Sequence, residues 1–219
     1  MTNLADTDDR APSRAVGLLS IATGVASLAL LANHPEVHAH SFAEVLKQEA
    51  ANRGIDALVH GGFIAVLAMQ LVCYAIFSQR LRLRRPPVVA GLVFFTAGAA
   101  FLAASMVLDG LVTPAIAVRF LMAPDKQDYA KSILVLIGAL IGVLMPIGLA
   151  FQSFGVAAWG IALLIRGSSR IVGAFGLLLG IGITGALAAL AMNPFVLMGA
   201  IVGLAVWAAA VGLQLMRQA

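Results

Sequence analysis

The sequence predicts an all-α polytopic transmembrane helix bundle, with six spans and both termini in the cytoplasm. Of the 219 residues, 61% are hydrophobic and only 11% are charged, whereas soluble domains have roughly 45–50% apolar and about 25% charged residues. Several apolar runs reach the ~20 residues that a helix needs to cross a bilayer. Short arginine-rich turns separate some of these runs and indicate an orientation.

Six apolar stretches are long enough to span a membrane, and they lie at 15–32, 58–79, 87–108, 132–165, 171–192 and 195–215. The fourth stretch is much longer than a hydrocarbon core of ~30 Å requires. We expect it to be one helix that is kinked at Pro146 and projects beyond the bilayer. Two shorter spans would put Arg166 and Arg170 outside the cell, which the charge rule disfavours. A tilted or re-entrant course is the alternative.

Charge is distributed unequally between the two sides of this arrangement. Nine arginines and three aspartates lie on the side of the termini and of the turns at 80–87 and 166–170, against five basic and seven acidic residues opposite. Because positive charge is retained in the cytoplasm, we expect a multi-pass membrane protein with both termini in the cytoplasm and the histidine-rich segment on the opposite side. Residues 1–14 are polar and predict a disordered cytoplasmic N-terminus, followed by a single bundle over 15–217.

Two outer segments, at 33–57 and 109–131, carry helix signals. The sequence Ser41-Phe-Ala-Glu44 is a capping box, and Gly54 supplies a stop, so a short surface helix is predicted over 41–53. Thr113-Pro114 is typical of the start of a second short helix.

All four histidines fall in or beside the first outer segment. His38 and His40 are two residues apart and share a direction in an extended chain, as does Glu36. Such nitrogen and carboxylate ligands suit Cu²⁺ or Zn²⁺. The predicted metal ligands are therefore His34, Glu36, His38, His40 and His60. The alternative is an ordered loop in which the histidines make turns and helix caps.

Other cofactors and sites are less well supported by the sequence. Haem is disfavoured, because axial ligands from two facing helices are required at membrane depth and only His60 lies in a span, at its edge. Asp109 ends the third span, where it pairs with Arg119, pairs with a residue of the long fourth helix, or is a solvated helix end, and the last interpretation is favoured. Gln152 is neutral and is expected to join helices.

Several short motifs resemble a loose set of uncharacterised bacterial multi-pass membrane proteins. They are His34-Pro35, Val59-His-Gly-Gly62, Leu108-Asp-Gly110 and Phe151-Gln-Ser-Phe-Gly-Val-Ala-Ala-Trp159. The resemblance covers most of the chain and implies no activity. It suggests that His34, His60, Asp109 and Gln152 meet near the outer half of the bundle.

Three functions are compatible with this sequence. The first is a non-catalytic accessory or scaffolding subunit, which packs in the lipid bilayer against other membrane subunits or against itself through small-residue helix faces. The second is a Cu- or Zn-handling protein that uses the extracytoplasmic histidines. The third, a small transporter or channel, is disfavoured by the scarcity of intramembrane ionisable residues. The sequence contains no phosphate-binding loop and no nucleophile elbow, so a role outside catalysis is favoured. It also indicates no nucleic-acid partner.

Overall fold

The computed structural model describes residues 10–35, 37–167, 169–190 and 193–217, and the regular secondary structure within these ranges is entirely helical. Its elements are α1 (Arg10–Ala32), α2 (Phe42–Arg80), α3 (Pro86–Val107), a π-helical segment (Leu108–Val112), α4 (Thr113–Leu121), a short 3₁₀ turn (Pro124–Lys126), α5 (Gln127–Arg166), α6 (Arg170–Leu190) and α7 (Pro194–Arg217). Six helices are long and apolar enough to cross a membrane. The predicted all-α bundle of six spans is therefore confirmed. Most of the predicted N-terminal segment lies outside the described residues.

The six long helices pack in a closed ring, in the spatial order α1, α2, α3, α5, α6, α7 and back to α1. Glycines allow the closest crossings. A side chain on Gly17 would meet the Gly212 carbonyl of α7, and one on Gly160 would meet the Leu177 amide of α6. Small residues at such crossings let helix backbones approach closely where the surrounding lipid is as apolar as the side chains.

An aromatic cluster fills the ring near the turn at residues 81–85, which we call the arginine end. Tyr74, Phe95 and Trp159 are fully buried, and their rings stack at centroid distances of 4.5 to 5.7 Å. The Trp159 indole N–H donates to the Ser78 hydroxyl at 3.0 Å. This half of the bundle is a well-packed core in which the Trp159 indole is partnered, whereas the Nε1 of the buried Trp207 has no hydrogen-bond partner within the described structure.

The opposite end of the bundle, which we call the histidine end, extends beyond a membrane's thickness. His60 precedes Arg80 by 20 positions, which corresponds to about 30 Å of helix and so to a full hydrocarbon core. The earlier part of α2 packs with α4 and the start of α5 around Leu46, Ala117 and Phe120. These residues form a small second core, the outer cap, above the spans.

The structure corrects the predicted helix over 41–53. Ser41 is the N-cap as expected, accepting from the Glu44 amide at 3.3 Å, and the Glu44 carboxylate accepts from the His40 amide at 2.8 Å. The helix does not end at Gly54, however, but continues to Arg80. A glycine inside a helix costs only about 1 kcal/mol, which the packing of the outer cap offsets. The prediction of one helix through Pro146 is confirmed.

Candidate metal centre

Three side chains from three separate segments converge at the histidine end. The His60 Nε2 lies 3.3 Å from the His34 Nε2 and 3.1 Å from the Asp109 Oδ2. The third separation, between His34 Nε2 and Asp109 Oδ2, is 3.9 Å. His34, His60 and Asp109 form the group of potential metal ligands found among the described residues, and we call it the ligand triad.

The ends of helices position two of the three ligands. His34 follows α1 by two residues, where its amide donates back to the Leu31 carbonyl at 3.3 Å. The side-chain amide of Asn33 donates to the Ala29 carbonyl at 2.7 Å and completes this turn. Asp109 lies 23 residues after the start of α3, so helix length alone brings it to about the depth of His60.

A π-helical segment sets the direction of Asp109. Pro114 follows it and has no N–H to donate to a carbonyl in the preceding turn, so the regular α ladder is interrupted there. The chain accommodates this break by widening to π geometry over Leu108–Val112, and the Thr113 hydroxyl donates to the Leu108 carbonyl at 3.0 Å. Single π turns inside helices are frequent at functional sites.

Gly110 of this segment packs directly on the His60 ring. A Cβ added to Gly110 would overlap the His60 Cβ, Cγ and Nδ1 atoms. Only glycine therefore allows the segment to approach the imidazole closely enough for Asp109 to reach Nε2. Gly110 in this way joins the π-helical segment, which follows α3, tightly to α2 at the triad.

The backbone fixes the ring of His60. Its Nδ1 lies 2.9 Å from the Asp56 carbonyl, and because a carbonyl only accepts, Nδ1–H must donate to it. This leaves Nε2 directed at Asp109 and His34. A metal-bound histidine commonly donates its second ring N–H to a backbone carbonyl in this way, which orients the ring.

The separations in the triad fit a shared ion. The circle through the three ligand atoms has a radius of about 2.0 Å, which matches the Zn–N and Zn–O distances of ~2.0–2.2 Å. The mean separation is about 3.4 Å; a tetrahedral site with such bonds requires roughly 3.3–3.4 Å, and an octahedral one about 3.0 Å. Bonds of about 2.1 Å to all three atoms place the ion about 0.6 Å out of their plane, with ligand–metal–ligand angles of about 95–136°, so the triad matches a distorted tetrahedron.

The electrostatic surroundings are rich in acids. Glu49 and Asp56 are close enough to interact electrostatically with one another, with Asp109 and with both histidines. Asp56 is buried, as is His60, whereas the side chains of His34 and Asp109 are 41% and 31% exposed. Three carboxylates around two imidazoles favour a cation, which can enter from the exposed side.

The structure brings together only part of the predicted metal set. His34 and His60 belong to the triad, but His38 and His40 do not, because their backbone amides are held by Gln48 and Glu44. Glu36 lies outside the described residues. The structure does not place His38 and His40 in the triad, and their role as metal ligands stays a prediction.

The favoured interpretation of Asp109 as a solvated helix end is wrong, since it contacts His60. Arg119 lies 5.9 Å from the ring of Phe120, to which it presents its guanidinium. Gln152 is buried in the bundle, so it does not join the triad. The expected meeting of His34, His60 and Asp109 is therefore observed without Gln152, and the distance of Asp109 from the start of its span is the sequence signal for its depth.

Two adjoining cavities extend from the triad into the bundle. The outer cavity has a volume of about 220 Å³ and is lined by His34, His60 and mostly apolar residues. The inner one holds about 40 Å³ and is lined in part by Gln70 and Gln152. Both share the walls Phe63, Met106, Met145 and Ile201.

Comparison of the chain with known protein families, with curated proteins and with solved structures gives no match.

Proposed function

We propose that this protein binds Zn²⁺ in the ligand triad, at the boundary of the membrane's hydrocarbon core. The observation that carries the proposal is that the three ligand atoms lie 3.1–3.9 Å apart, so one ion can reach all of them with bonds of about 2.1 Å, the length of a zinc bond. Two of the ligands are imidazoles and one is a carboxylate, which is a set that Zn²⁺ accepts.

A proton is the competing explanation for these short separations. A proton on the His60 Nε2 would account for its 3.1 Å contact with Asp109. The same proton is then unable to bridge His34, whose Nε2 lies 3.3 Å from that atom and 3.9 Å from the carboxylate. A cation at the centre of the triad satisfies all three groups at once, which supports the metal over the ion pair.

The separations of 3.1–3.9 Å all exceed the about 3.0 Å between neighbouring ligands of an octahedral site, which favours Zn²⁺ over metals that require six ligands. With three protein ligands, a fourth position on the metal is open to water or another molecule. Catalytic zinc sites have such an open position, whereas structural zinc sites have four protein ligands. Cu²⁺ also accepts this ligand set, and metal analysis separates the two.

Metal content of the protein tests the proposal. Protein purified without a histidine tag is expected to hold one Zn²⁺ per chain, measured by elemental mass spectrometry after dialysis. Asp109→Asn keeps the shape of the side chain but weakens the ligand, and His60→Ala removes one; both should lose the metal. His38→Ala is the matched control and should retain it.

The proposal is refuted if folded wild-type protein binds no stoichiometric Zn²⁺ at saturating concentration. It is also refuted if Asp109→Asn and His60→Ala bind Zn²⁺ as tightly as His38→Ala does. If protein purified from cells that have both metals available carries stoichiometric copper in place of zinc, and this copper depends on the same residues, copper is the metal of the site.

The sidedness of the site follows from charge in this proposal. The arginine end carries most of the basic residues, so it faces the cytoplasm and the triad faces the opposite side. A bacterial inner membrane is the location that we infer. The accessory-subunit and transporter functions stay predictions of the sequence.

A further inference from the structure

The outer cavity begins at the ligand triad and is otherwise apolar. Apart from His34 and His60, its walls are Leu31, Phe63, Met106, Met145, Pro194, Leu197, Met198 and Ile201. The residues come from α1, α2, α3, α5 and α7, so the cavity penetrates the ring of helices rather than lying on one face. Its single polar region is the pair of imidazoles.

The cavity is open toward the surface of the bundle. Pro194 and Met198 in its wall are exposed, and both lie at the beginning of α7. His60 lies about 30 Å of helix from Arg80, at the hydrocarbon boundary. An apolar chain from the membrane can therefore enter here while its polar head stays at the triad.

The inner cavity limits how deep such a chain reaches. Its volume of about 40 Å³ suits a few water molecules. Gln152 in its wall is 2% exposed, and its Nε2 has no hydrogen-bond partner within the described structure. A buried amide donor needs a polar partner, so this end favours water and excludes a methyl terminus.

We propose that the outer cavity binds a single-chain amphiphile whose oxygen-donor head takes the fourth position on the triad's metal ion. This inference depends on the proposed function, since the metal holds the head. The apolar walls select a chain of medium length, and the hydrated amide of Gln152 marks its end. The ligand class is a carboxylate-like head on one alkyl chain.

Cobalt substitution gives a direct measurement of the fourth position. Co²⁺ replaces Zn²⁺ in tetrahedral sites, and its visible absorption bands change when a new ligand binds. Acetohydroxamate is the head-group probe, and octanohydroxamate carries the same head on an alkyl chain. Both are titrated into cobalt-loaded protein in the same detergent, so partition into micelles is common to all variants.

A cavity-filling variant separates the chain from the head. Leu197→Trp occupies the outer cavity and should weaken octanohydroxamate binding at least tenfold while acetohydroxamate binding stays within twofold. Leu213→Trp is the matched control, because Leu213 lies on the same helix but is 49% exposed and outside the cavity lining. It should leave both affinities unchanged. Ile201→Phe replaces Leu197→Trp if the latter does not load cobalt.

The outcomes distinguish this inference from the proposed function. If wild-type protein binds neither Zn²⁺ nor Co²⁺, the proposed function fails and this inference fails with it. If cobalt loads but cavity filling weakens both hydroxamates equally, or weakens neither, the amphiphile site is refuted and the metal site stands.

Discussion

Gly110→Ala tests the triad without removing any ligand. The new Cβ would overlap the His60 ring, whereas carbon atoms in ordinary contact are about 3.5–4.0 Å apart. The ring must therefore move by about 1 Å, or the π-helical segment must move away from it. Either shift changes the separation between His60 Nε2 and Asp109 Oδ2, which is 3.1 Å in the native protein.

The expected loss of zinc affinity follows from this displacement. Metal–ligand distances in functional sites vary by only about 0.2 Å, so a shift of the His60 ring by about 1 Å prevents a normal bond to the metal. Disturbing residues that merely orient a ligand costs roughly 10–100-fold in affinity. We expect Gly110→Ala to lose at least that much, or about 1.4–2.7 kcal/mol of binding free energy. Overpacking should also lower the free energy of unfolding by about 1–3 kcal/mol.

Gly61→Ala is the matched control for this experiment. Gly61 is adjacent to His60 on α2, and nothing lies within 4 Å of the position that its Cβ would take. The control should bind Zn²⁺ normally and be slightly more stable, because alanine is favoured over glycine in helices. Affinities are measured by competition with a fluorescent chelator, and folding by size-exclusion chromatography and thermal unfolding. Folded Gly110→Ala that binds Zn²⁺ within threefold of wild type would contradict the assignment of His60 as a ligand.

Three further predictions concern the fold. Gly160→Val should lower the thermal unfolding temperature by several degrees, because the new valine side chain meets the facing α6 backbone. The control Gly138→Val has open space around the new side chain and should not lower that temperature. Equal effects of the two substitutions would contradict the assigned α5–α6 crossing. Ser78→Ala removes the partner of the Trp159 indole and should cost about 1–3 kcal/mol of unfolding free energy in a denaturant titration; no loss would show that water replaces the hydroxyl. Ser41→Ala removes the N-cap of α2 and should cost about 1 kcal/mol, seen as faster amide exchange in the first helical turn with zinc affinity unchanged; unaltered exchange would argue against the cap.

The spans and the first helix cap were predictable because their signals are local. Hydropathy over ~20 residues depends on composition alone, and the cap at Ser41 depends on four consecutive residues. The predicted stop at Gly54 was wrong for a non-local reason. Packing of Leu46 against α4 and α5 keeps α2 helical, and no pattern within 41–54 contains that information.

The sequence predicts the depth of the candidate site along the helices, but it does not predict the direction of the Asp109 side chain. Counting from Arg80 and Pro86 places His60 and Asp109 at about the same level, so their proximity was accessible from the sequence. Which way Asp109 points depends on the π-helical segment, since Asp109 lies in its first turn and the wider π turn departs from regular α-helical geometry. His38 and His40 illustrate the opposite case, in which a suggestive spacing lies in a segment held by backbone hydrogen bonds.

In the proposed function, the triad couples metal binding to the packing of the helices. Its ligands follow α1, lie within α2 and follow α3, so they come together only when these three helices are packed against one another. A metal ion bound by all three contributes its binding free energy to that packing. It also compensates for holding carboxylates and imidazoles at the hydrocarbon boundary, where unpaired charges are costly. A cation bound at the histidine end would therefore balance the charge of the acidic residues there. Gly110 provides the close helix contact that brings Asp109 to His60.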